Sequence, residues 1–364
     1  MRYTATDSGI TTDALTRDKL RAWIEGIDPD TGIQRGRVIP TPDADLLLDA
    51  TINAPKSYSV VALIDDELAG EYEALQDRLR DRIVSTWQRE LNARRGAGGA
   101  HREELARIEV VELRHERSRS LDPHKHRHLW LNMKVQGRDG KWSNLDSRVA
   151  LRFQTVVNAE GDLAARTDPQ WMAALAAKGY SLNADGEIEQ LAHVVRPLSR
   201  RSNQIEANRA MKLAEWHAEN PGEEPSPDVM TAIDRWAWSY GRPNKPGTVD
   251  EASWKDSVRD ELRTLDATVL TAREPVRAAI QSIADLDRKF LAMVAITDAD
   301  KRARSASGRF SVYDIHAGAT RAVAASGVIA DRASFDELIE DVTARAISDY
   351  SINCWLMSVL FPIT

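Results

Sequence analysis

Ile108-Glu-Val-Val-Glu-Leu-Arg-His115 and His126-Arg-His-Leu-Trp-Leu-Asn-Met-Lys-Val135 are the two runs on which the fold turns. Both are rich in Val, Ile and Leu at alternating positions, the pattern of half-buried strands. A polar loop is expected between them from Glu116 to Lys125, and Arg138-Asp139-Gly140 reads as a turn. The two strands are expected to lie side by side in one sheet. Side chains alternate across a strand, so His126 and His128 project from one face, while Arg127, Leu129, Leu131 and Met133 take the other. His115 ends the preceding strand and brings a third imidazole to the same face. His124 is read as a loop residue, one step out of the alternation, and is left out of this set. A lone His-x-His occurs on exposed strands without any ligand. Three imidazoles from two strands instead suggest an open metal site, with positions left for substrate oxygens and water.

The 364 residues carry a net charge of −7, with 42% hydrophobic and 29% charged residues. This is an ordinary globular composition, long enough for about two domains. The acidic balance argues against a general polyanion binder, because such affinity comes from neutralising phosphates. A local exception surrounds the histidines, where Arg114, Arg117, Arg119, Lys125 and Arg127 face only Glu116 and Asp122. A cation beside several arginines suits a phosphate, although a basic loop also serves solubility. Cys354 is the single cysteine, which excludes an internal disulfide and fits a reducing cytoplasm. The start, Met1-Arg-Tyr-Thr-Ala-Thr-Asp-Ser, has no apolar signal core. The uncharged run Tyr350–Thr364 is too short to span a bilayer, so no membrane insertion is expected and the run is read as a buried strand or helix.

Outward from the histidines, Leu68, Tyr72, Leu75, Leu79, Ile83, Trp87 and Leu91 recur at helical spacing, predicting a helix from Asp66 to about Arg95. Arg94-Arg95-Gly-Ala-Gly-Gly-Ala100 reads as a basic, flexible loop. Residues 46–64 read as strand, tight loop at Ala54-Pro55-Lys56-Ser57, then strand or helix. Residues 148–215 are mainly helical, interrupted near Gly179–Gly186. Gly241-Arg-Pro-Asn-Lys-Pro-Gly247 is the linker candidate. The chain therefore divides into 1–245 and a helical extension, 248–364, marked by Val258, Leu262, Leu265, then Val276, Ile280 and Ile283. Three more residues bear on chemistry. Asp49 is placed to orient a metal-bound imidazole or to take a proton, or it is simply a strand-ending turn residue. Lys56 is a phosphate contact or a solvent charge. Tyr3 is a candidate nucleophile or an ordinary surface tyrosine.

Asp49-Ala-Thr-Ile-Asn-Ala-Pro-Lys-Ser57 resembles the Asp-Leu-Thr-Phe-Ser-Ala-Pro-Lys-Ser signature of conjugative relaxases of the MobF class, the TrwC/TraI type. His115-Glu-Arg-Ser-Arg-Ser-Leu-Asp-Pro-His-Lys-His-Arg-His128 is similar to that family's three-histidine segment. Leu131-Asn132-Met133, Asp139-Gly-Lys-Trp142, Leu145-Asp146-Ser147, Gly179-Tyr180 and Ser199-Arg-Arg-Ser-Asn-Gln-Ile205 follow in the family's order. The resemblance spans roughly residues 18–245, with weaker traces near Trp254 and Phe310–Arg321. It implies an α+β fold of the HUH endonuclease kind: a five-stranded antiparallel sheet flanked by helices, here with a mainly helical C-terminal extension. It also implies attack by a tyrosine on a phosphodiester of single-stranded DNA at an origin of transfer. By motif position, His115, His126 and His128 would hold a divalent ion, Mg²⁺ or Mn²⁺. Asp49 would support a histidine and the nucleophile. Lys56, Ser57, Arg117 and Arg119 would contact DNA. The expected setting is a cytoplasmic monomer working with other transfer proteins.

The family's clustered N-terminal tyrosines and Trp-Gly-x-Gly segment have no counterpart here, since Tyr3 alone precedes Tyr58. Tyr3 is then a remnant of the pair, or the reading frame starts upstream, or the chain is a degenerate copy that binds DNA and metal without cutting. Tyr58 stands where the family has a small apolar residue. No Gly-x-x-x-x-Gly-Lys-Ser/Thr loop occurs, so ATP-driven unwinding is not expected of these residues; the apolar ending reads as a truncated reading frame, and the extension 248–364 as the start of a truncated helicase region. A three-histidine hydrolase of small substrates remains a separate reading, but it leaves the arginine-rich loop and the Pro-Lys-Ser segment without a role.

Overall fold

A computed structural model describes residues 1–38, 43–244, 247–277, 282–304 and 310–351. Its centre is an antiparallel sheet. Strands β1 (Arg2–Thr6) and β2 (Gly9–Asp13) form a hairpin, and helix α1 (Arg17–Ile24) follows, capped by the Thr16 side chain. Strand β3 (Leu47–Ile52) leads into α2 (Lys56–Ile64) and the long α3 (Asp66–Glu90). Strands β4 (Asn92–Arg95), β5 (His101–Arg117), β6 (Pro123–Asn132), β7 (Lys134–Gly137) and β8 (Trp142–Asn144) come next. The main path runs β2-β1-β5-β6-β3, the five strands that the resemblance implied, while β4, β7 and β8 extend the sheet from the first half of β5.

Helix α3 covers one face of this sheet with the residues its spacing marked: Leu68, Tyr72, Leu75, Leu79, Ile83 and Trp87 are all buried. It ends at Glu90 rather than near Arg95. Asn92–Arg95 pairs instead with His101–Glu104, and Gly96, Gly98 and Gly99 supply the positive φ that the reversal between them needs. The expected flexible loop is therefore partly strand. Similarly, the loop expected over Glu116–Lys125 shrinks to Ser118–Asp122, because β5 runs to Arg117 and β6 starts at Pro123. That turn is tied by Ser118 and Asp122, and Leu121 holds a φ of 62° within it.

The helices that follow are α4 (Ser147–Thr167), α5 (Pro169–Ala177), α6 (Ala192–Val195), α7 (Arg200–Glu219), α8 (Pro227–Ser239) and α9 (Glu251–Leu265). Beyond them lie α10 (Arg288–Arg304), α11 (Val312–Ala325) and α12 (Arg332–Ala346). Two apolar cores result. The first joins the sheet to α2–α5 and also takes Trp254, Val258 and Leu262 of α9. The second gathers α10–α12 around Leu291, Ile296, Val323, Phe335 and Val342, with Leu163 of α4 reaching into it. Among the described residues no α-helix occupies the stretch between α9 and α10. Val276 donates its backbone N–H to Ala176 in an extended segment, and Ile280 lies outside the described residues. The Gly241–Gly247 segment has no regular structure where it is described. The terminal apolar run lies outside the described residues from 352 onward. No described helix is long and apolar enough to cross a membrane.

Candidate metal centre

The pairing of β5 with β6 builds the site. His115 lies opposite His126 and Leu113 opposite His128, so the three imidazoles share one face of the sheet. A register shift between His115 and Arg117 bends β5 just beyond the first of them. One ligand atom from each ring lies within 4.8 Å of the others. His115 Nδ1 is 3.3 Å from His126 Nε2, and the ring centroids are 5.0 to 5.3 Å apart.

Two of the rings are held from behind. Nδ1 of His126 lies 2.7 Å from the His124 carbonyl oxygen, and Nδ1 of His128 lies 2.9 and 3.1 Å from the two carboxylate oxygens of Asp49. An N–H on each Nδ1 donates outward and leaves the Nε2 lone pair for a ligand. Asp49 reaches His128 diagonally across the β3–β6 ladder, where its own partner is Trp130. Burial lowers the pKa of His126 despite the His124 carbonyl, and His115 and His128 lower it further. The imidazole is thereby kept in the neutral form that binds metals. This donor set, three imidazoles with at least two oriented from behind, fits a divalent cation.

His124 is not out of phase with the other two. It sits on β6 in the same row as His126 and His128, its ring stacked on His126 with centroids 4.3 Å apart. Burial pushes its pKa down to about 3, with His126 and Lys56 adding to the effect. Its even-numbered spacing continues that of His126 and His128, and the alternation reaches it because β6 begins at Pro123 rather than at His126.

Behind the histidines, on the helix-covered face, Arg127 is 1% exposed. It bonds Glu112 at 2.8 Å, Asp77 and Glu73 at 2.5 Å, and Gln76 at 3.0 Å. Farther along the histidine face, α1 covers the sheet. Trp23 Nε1 donates to the fully buried Glu109 at 2.7 Å, and Arg35 clamps the same carboxylate at 2.7 and 3.0 Å.

The other residues singled out in the sequence fall elsewhere. Tyr3 pairs with Val110 in the ladder, so its ring projects to the helix-covered face, opposite the histidines. It is 5% exposed, stacks under Arg80 and donates to Glu112 at 3.3 Å. Burial raises its pKa, and Arg80 offsets this only in part. The structure therefore does not bring Tyr3 to the metal centre. Lys56 is not in a loop but starts α2, and its ammonium donates to the Pro123 carbonyl at 2.9 Å. Ser57 is fully buried, with its hydroxyl accepting from Ile188 N–H, so it has no surface to offer a nucleic acid. Arg117 pairs with Glu251 at 2.7 Å and lies over Trp254, and Arg119 donates to the Pro243 carbonyl at 3.4 Å. Tyr58 is buried in an aromatic cluster with Tyr72 and Trp171.

Sequence reasoning missed Glu187, whose carboxylate takes the backbone N–H groups of Lys56 and Ser57 at the start of α2, at 3.2 and 2.9 Å. It also missed a groove of about 430 Å³ beside the edge strand β3, lined by Asp49, Thr51, Asn53, Gln154 and Asn158. Both depend on contacts more than a hundred residues apart in the chain, which no local pattern records.

The sequence profile described as TrwC relaxase matches residues 2–265. Among solved structures, the chain is similar to the conjugative relaxase TrwC in complex with oriT DNA in a metal-free form. The TM-score is 0.53 and the identity 22%, covering 72% of this chain and 90% of that one. The metal-bound form of that complex gives a TM-score of 0.53 at 21% identity, covering 72% and 88%. A complex of TrwC with a 27-mer DNA comprising the recognition hairpin and the cleavage site gives 0.53 at 22%, covering 72% and 91%. At these identities the structural likeness speaks for the fold. No curated protein matches the chain.

Proposed function

The chain belongs to the TrwC relaxase family, a family of DNA nicking and strand-transferring enzymes, and from that premise we propose that it nicks one DNA strand at an origin of transfer, with the scissile phosphate seated at His115, His126 and His128. The observation that carries this reading is the convergence of three imidazoles beside Asp49 on one face of the sheet. In the reaction a tyrosine hydroxyl oxygen bonds to phosphorus and gives up its proton. The bond from phosphorus to the 3′ oxygen breaks, and that oxygen leaves as a 3′-hydroxyl. The 5′-phosphotyrosyl link then keeps the strand ready for rejoining. The three histidines would hold a divalent cation, Mg²⁺ or Mn²⁺, which would offset the charge developing on the phosphate. Asp49 and the His124 carbonyl fix the tautomers of His128 and His126, so that both present a lone pair without reorganisation.

The partner is single-stranded DNA, and the setting is a cytoplasmic monomer assisted by other transfer proteins. The strand-transfer unit extends past residue 245 to take in α9, because Trp254, Val258 and Leu262 complete its core. The helices from α10 onward form the extension.

The attacking hydroxyl is not Tyr3, whose ring lies on the opposite face. That single observation also favours a second reading, in which these residues bind metal and strand without cutting. The test mixes the protein with Mg²⁺ and a single-stranded oligonucleotide spanning the origin of its own element, then looks for a covalent adduct on a denaturing gel. The nicking reading expects an adduct that His128→Ala abolishes and Tyr3→Phe leaves intact. Metal-dependent binding with no adduct selects the second reading. An adduct lost in Tyr3→Phe overturns the placement of the nucleophile.

A further inference from the structure

The sheet ends at β3, and the helices packed on it continue past that end. Among the described residues β3 pairs with β6 alone. The Met133 N–H donates to the Leu46 carbonyl. The alternation of an antiparallel ladder then turns the backbone groups of Leu48, Ala50 and Ile52 towards β6 and those of Leu47, Asp49 and Thr51 away from it. An open edge of this kind is a template for another strand. Proteins blunt such edges with proline, lysine or a bulge, and Leu47–Ile52 has none of these.

The groove of about 430 Å³ follows this edge. Every residue from Leu48 to Asn53 lines it. Successive side chains of a strand point to opposite faces, so residues of both parities meet one cavity only along the strand's edge. Leu79, Ile83 and Trp87 of α3 also line it. The facing wall is one side of α4, marked by Leu151, Gln154, Asn158 and Asp162 at spacings of three and four. The start of α4 lies near the start of β3, where Leu145 N–H donates to Met133 and Met133 N–H to Leu46. Its end lies past the end of β3, where the Tyr58 hydroxyl donates to the Ala165 carbonyl. The two walls therefore run in the same direction, with Leu151 towards Leu48 and Asp162 towards Asn53.

The α4 wall shows what the groove suits. Gly161 lies inside the helix, where glycine is destabilising, yet a β-carbon there would meet nothing within 4 Å. Packing does not require the missing side chain, and its absence widens the groove. Leu151 is 58% exposed on the rim. No hydrogen bond or ion pair among the described residues uses the Asp162 carboxylate, and no lysine or arginine lines the groove. Burial raises the pKa of Asp162, and Arg321, Arg166 and Arg302 offset this only in part. Arg321 and Arg302 bond Asp298 instead, and Arg166 bonds the Ala184 and Asp185 carbonyls.

We propose that this groove binds an extended segment of a partner protein as one further strand on β3. The segment places apolar side chains at every second position against α3 and α4, and a lysine or arginine beside Asp162. Every strand pair of the sheet is antiparallel, so the basic residue lies towards the N-terminal end of the segment. A second copy of this chain is a poorer occupant, because its own Leu47–Ile52 carries Asp49 and no cation. The histidine chemistry plays no part in this recognition.

The probe is a fluorescein-labelled peptide, Lys-Thr-Val-Thr-Val-Thr-Val, titrated with the full chain and followed by anisotropy. Saturable binding is expected, with slowed amide hydrogen exchange over residues 47–53. The same peptide N-methylated at its threonines, whose N–H groups would face β3, is expected not to bind. Glutamate in place of its lysine is expected to weaken binding about five-fold, and Asp162→Asn to remove that difference. Gly161→Leu fills the groove and favours the helix. It is expected to abolish peptide binding with a melting temperature at or above the wild-type value and an unchanged Mn²⁺ affinity. A wild-type chain that does not bind the peptide overturns the proposal, as does equal binding of the N-methylated peptide or wild-type affinity in Gly161→Leu. A concentration-dependent dimer in sedimentation that Gly161→Leu dissolves assigns the groove to a second copy and overturns it too.

Discussion

Asp49 makes its contribution from the rim. Its side chain is half exposed and packs into no core, yet both of its oxygens lie within hydrogen-bond reach of His128 Nδ1. A carboxylate behind a ligating imidazole fixes the ring and strengthens its lone pair, and losing such a partner commonly costs 10–100-fold in metal affinity. Asp49→Ala is therefore expected to weaken Mn²⁺ binding by roughly that factor in calorimetry with little change in melting temperature. Unchanged affinity would show that the His115–His126 pair and the β6 backbone position the site without it. At this scale much was legible in advance. The i, i+2 spacing of His126 and His128 set their common face, and the nine-residue signature that begins at Asp49 pointed to a histidine as its partner without saying which. Tyr3 was not legible. Its residue type suited a nucleophile, but which face of β1 it takes depends on the register with β5, a pairing of residues over a hundred positions apart.

Strand β6 is pinned from both sides. Arg127, between His126 and His128, turns the other way and anchors α3 to the sheet through Glu73, Asp77 and Glu112. Burial alone would raise the pKa of all three acids. Lys125 and Arg127 at Glu73, Arg127 and Arg80 at Asp77, and Arg127 and Arg114 at Glu112 more than reverse it, so each ends below its ordinary value. Each acid then binds fewer protons folded than unfolded. The stability it contributes is complete above the ordinary carboxylate pKa and is lost as pH falls through the lowered folded value. The urea midpoint is expected to be flat near neutrality and to fall once the pH drops below about 4.5, the ordinary glutamate region. Glu112→Gln leaves the buried Arg127 with a weaker partner. It is expected to cost about 3 kcal/mol at pH 7 and to flatten the acid limb, and an unchanged limb would assign acid sensitivity to other carboxylates. The length of β5 belongs to this scale too. Its outer half forms because β4 and β7 pair with it, which alternation within β5 does not reveal.

Two cores meet along α4, which gives Val156 and Val157 to the first and Leu163 to the second. The second is a close-packed helical unit in which Gly318 of α11 lies against the backbone of Ala295 in α10, and a methyl group there would run into the Ala295 carbonyl. Gly318→Ala is expected to cost about 1–3 kcal/mol by overpacking. It should lower the melting temperature while leaving Mn²⁺ affinity at the histidines unchanged, because the two sites belong to different cores. A parallel loss of metal affinity would show that the cores act as one. The Pro- and Gly-dense stretch at 241–247 marked a break in regular structure, but α9 beyond it packs back on the first core through Trp254 and the Leu121 carbonyl. Composition finds where helices stop and does not say which core the next one joins.

By itself the sequence determined the strand pair, the row of histidines, the apolar face of α3 and the membership of a relaxase family, because each is written in local periodicity or in a contiguous motif. The tertiary structure alone decided that Asp49 meets His128, that Tyr3 turns away from them, that Ser57 is buried and that Arg117 is spent on α9. Those outcomes depend on strand register and on helices docking from distant parts of the chain, and register is a property of pairs of segments.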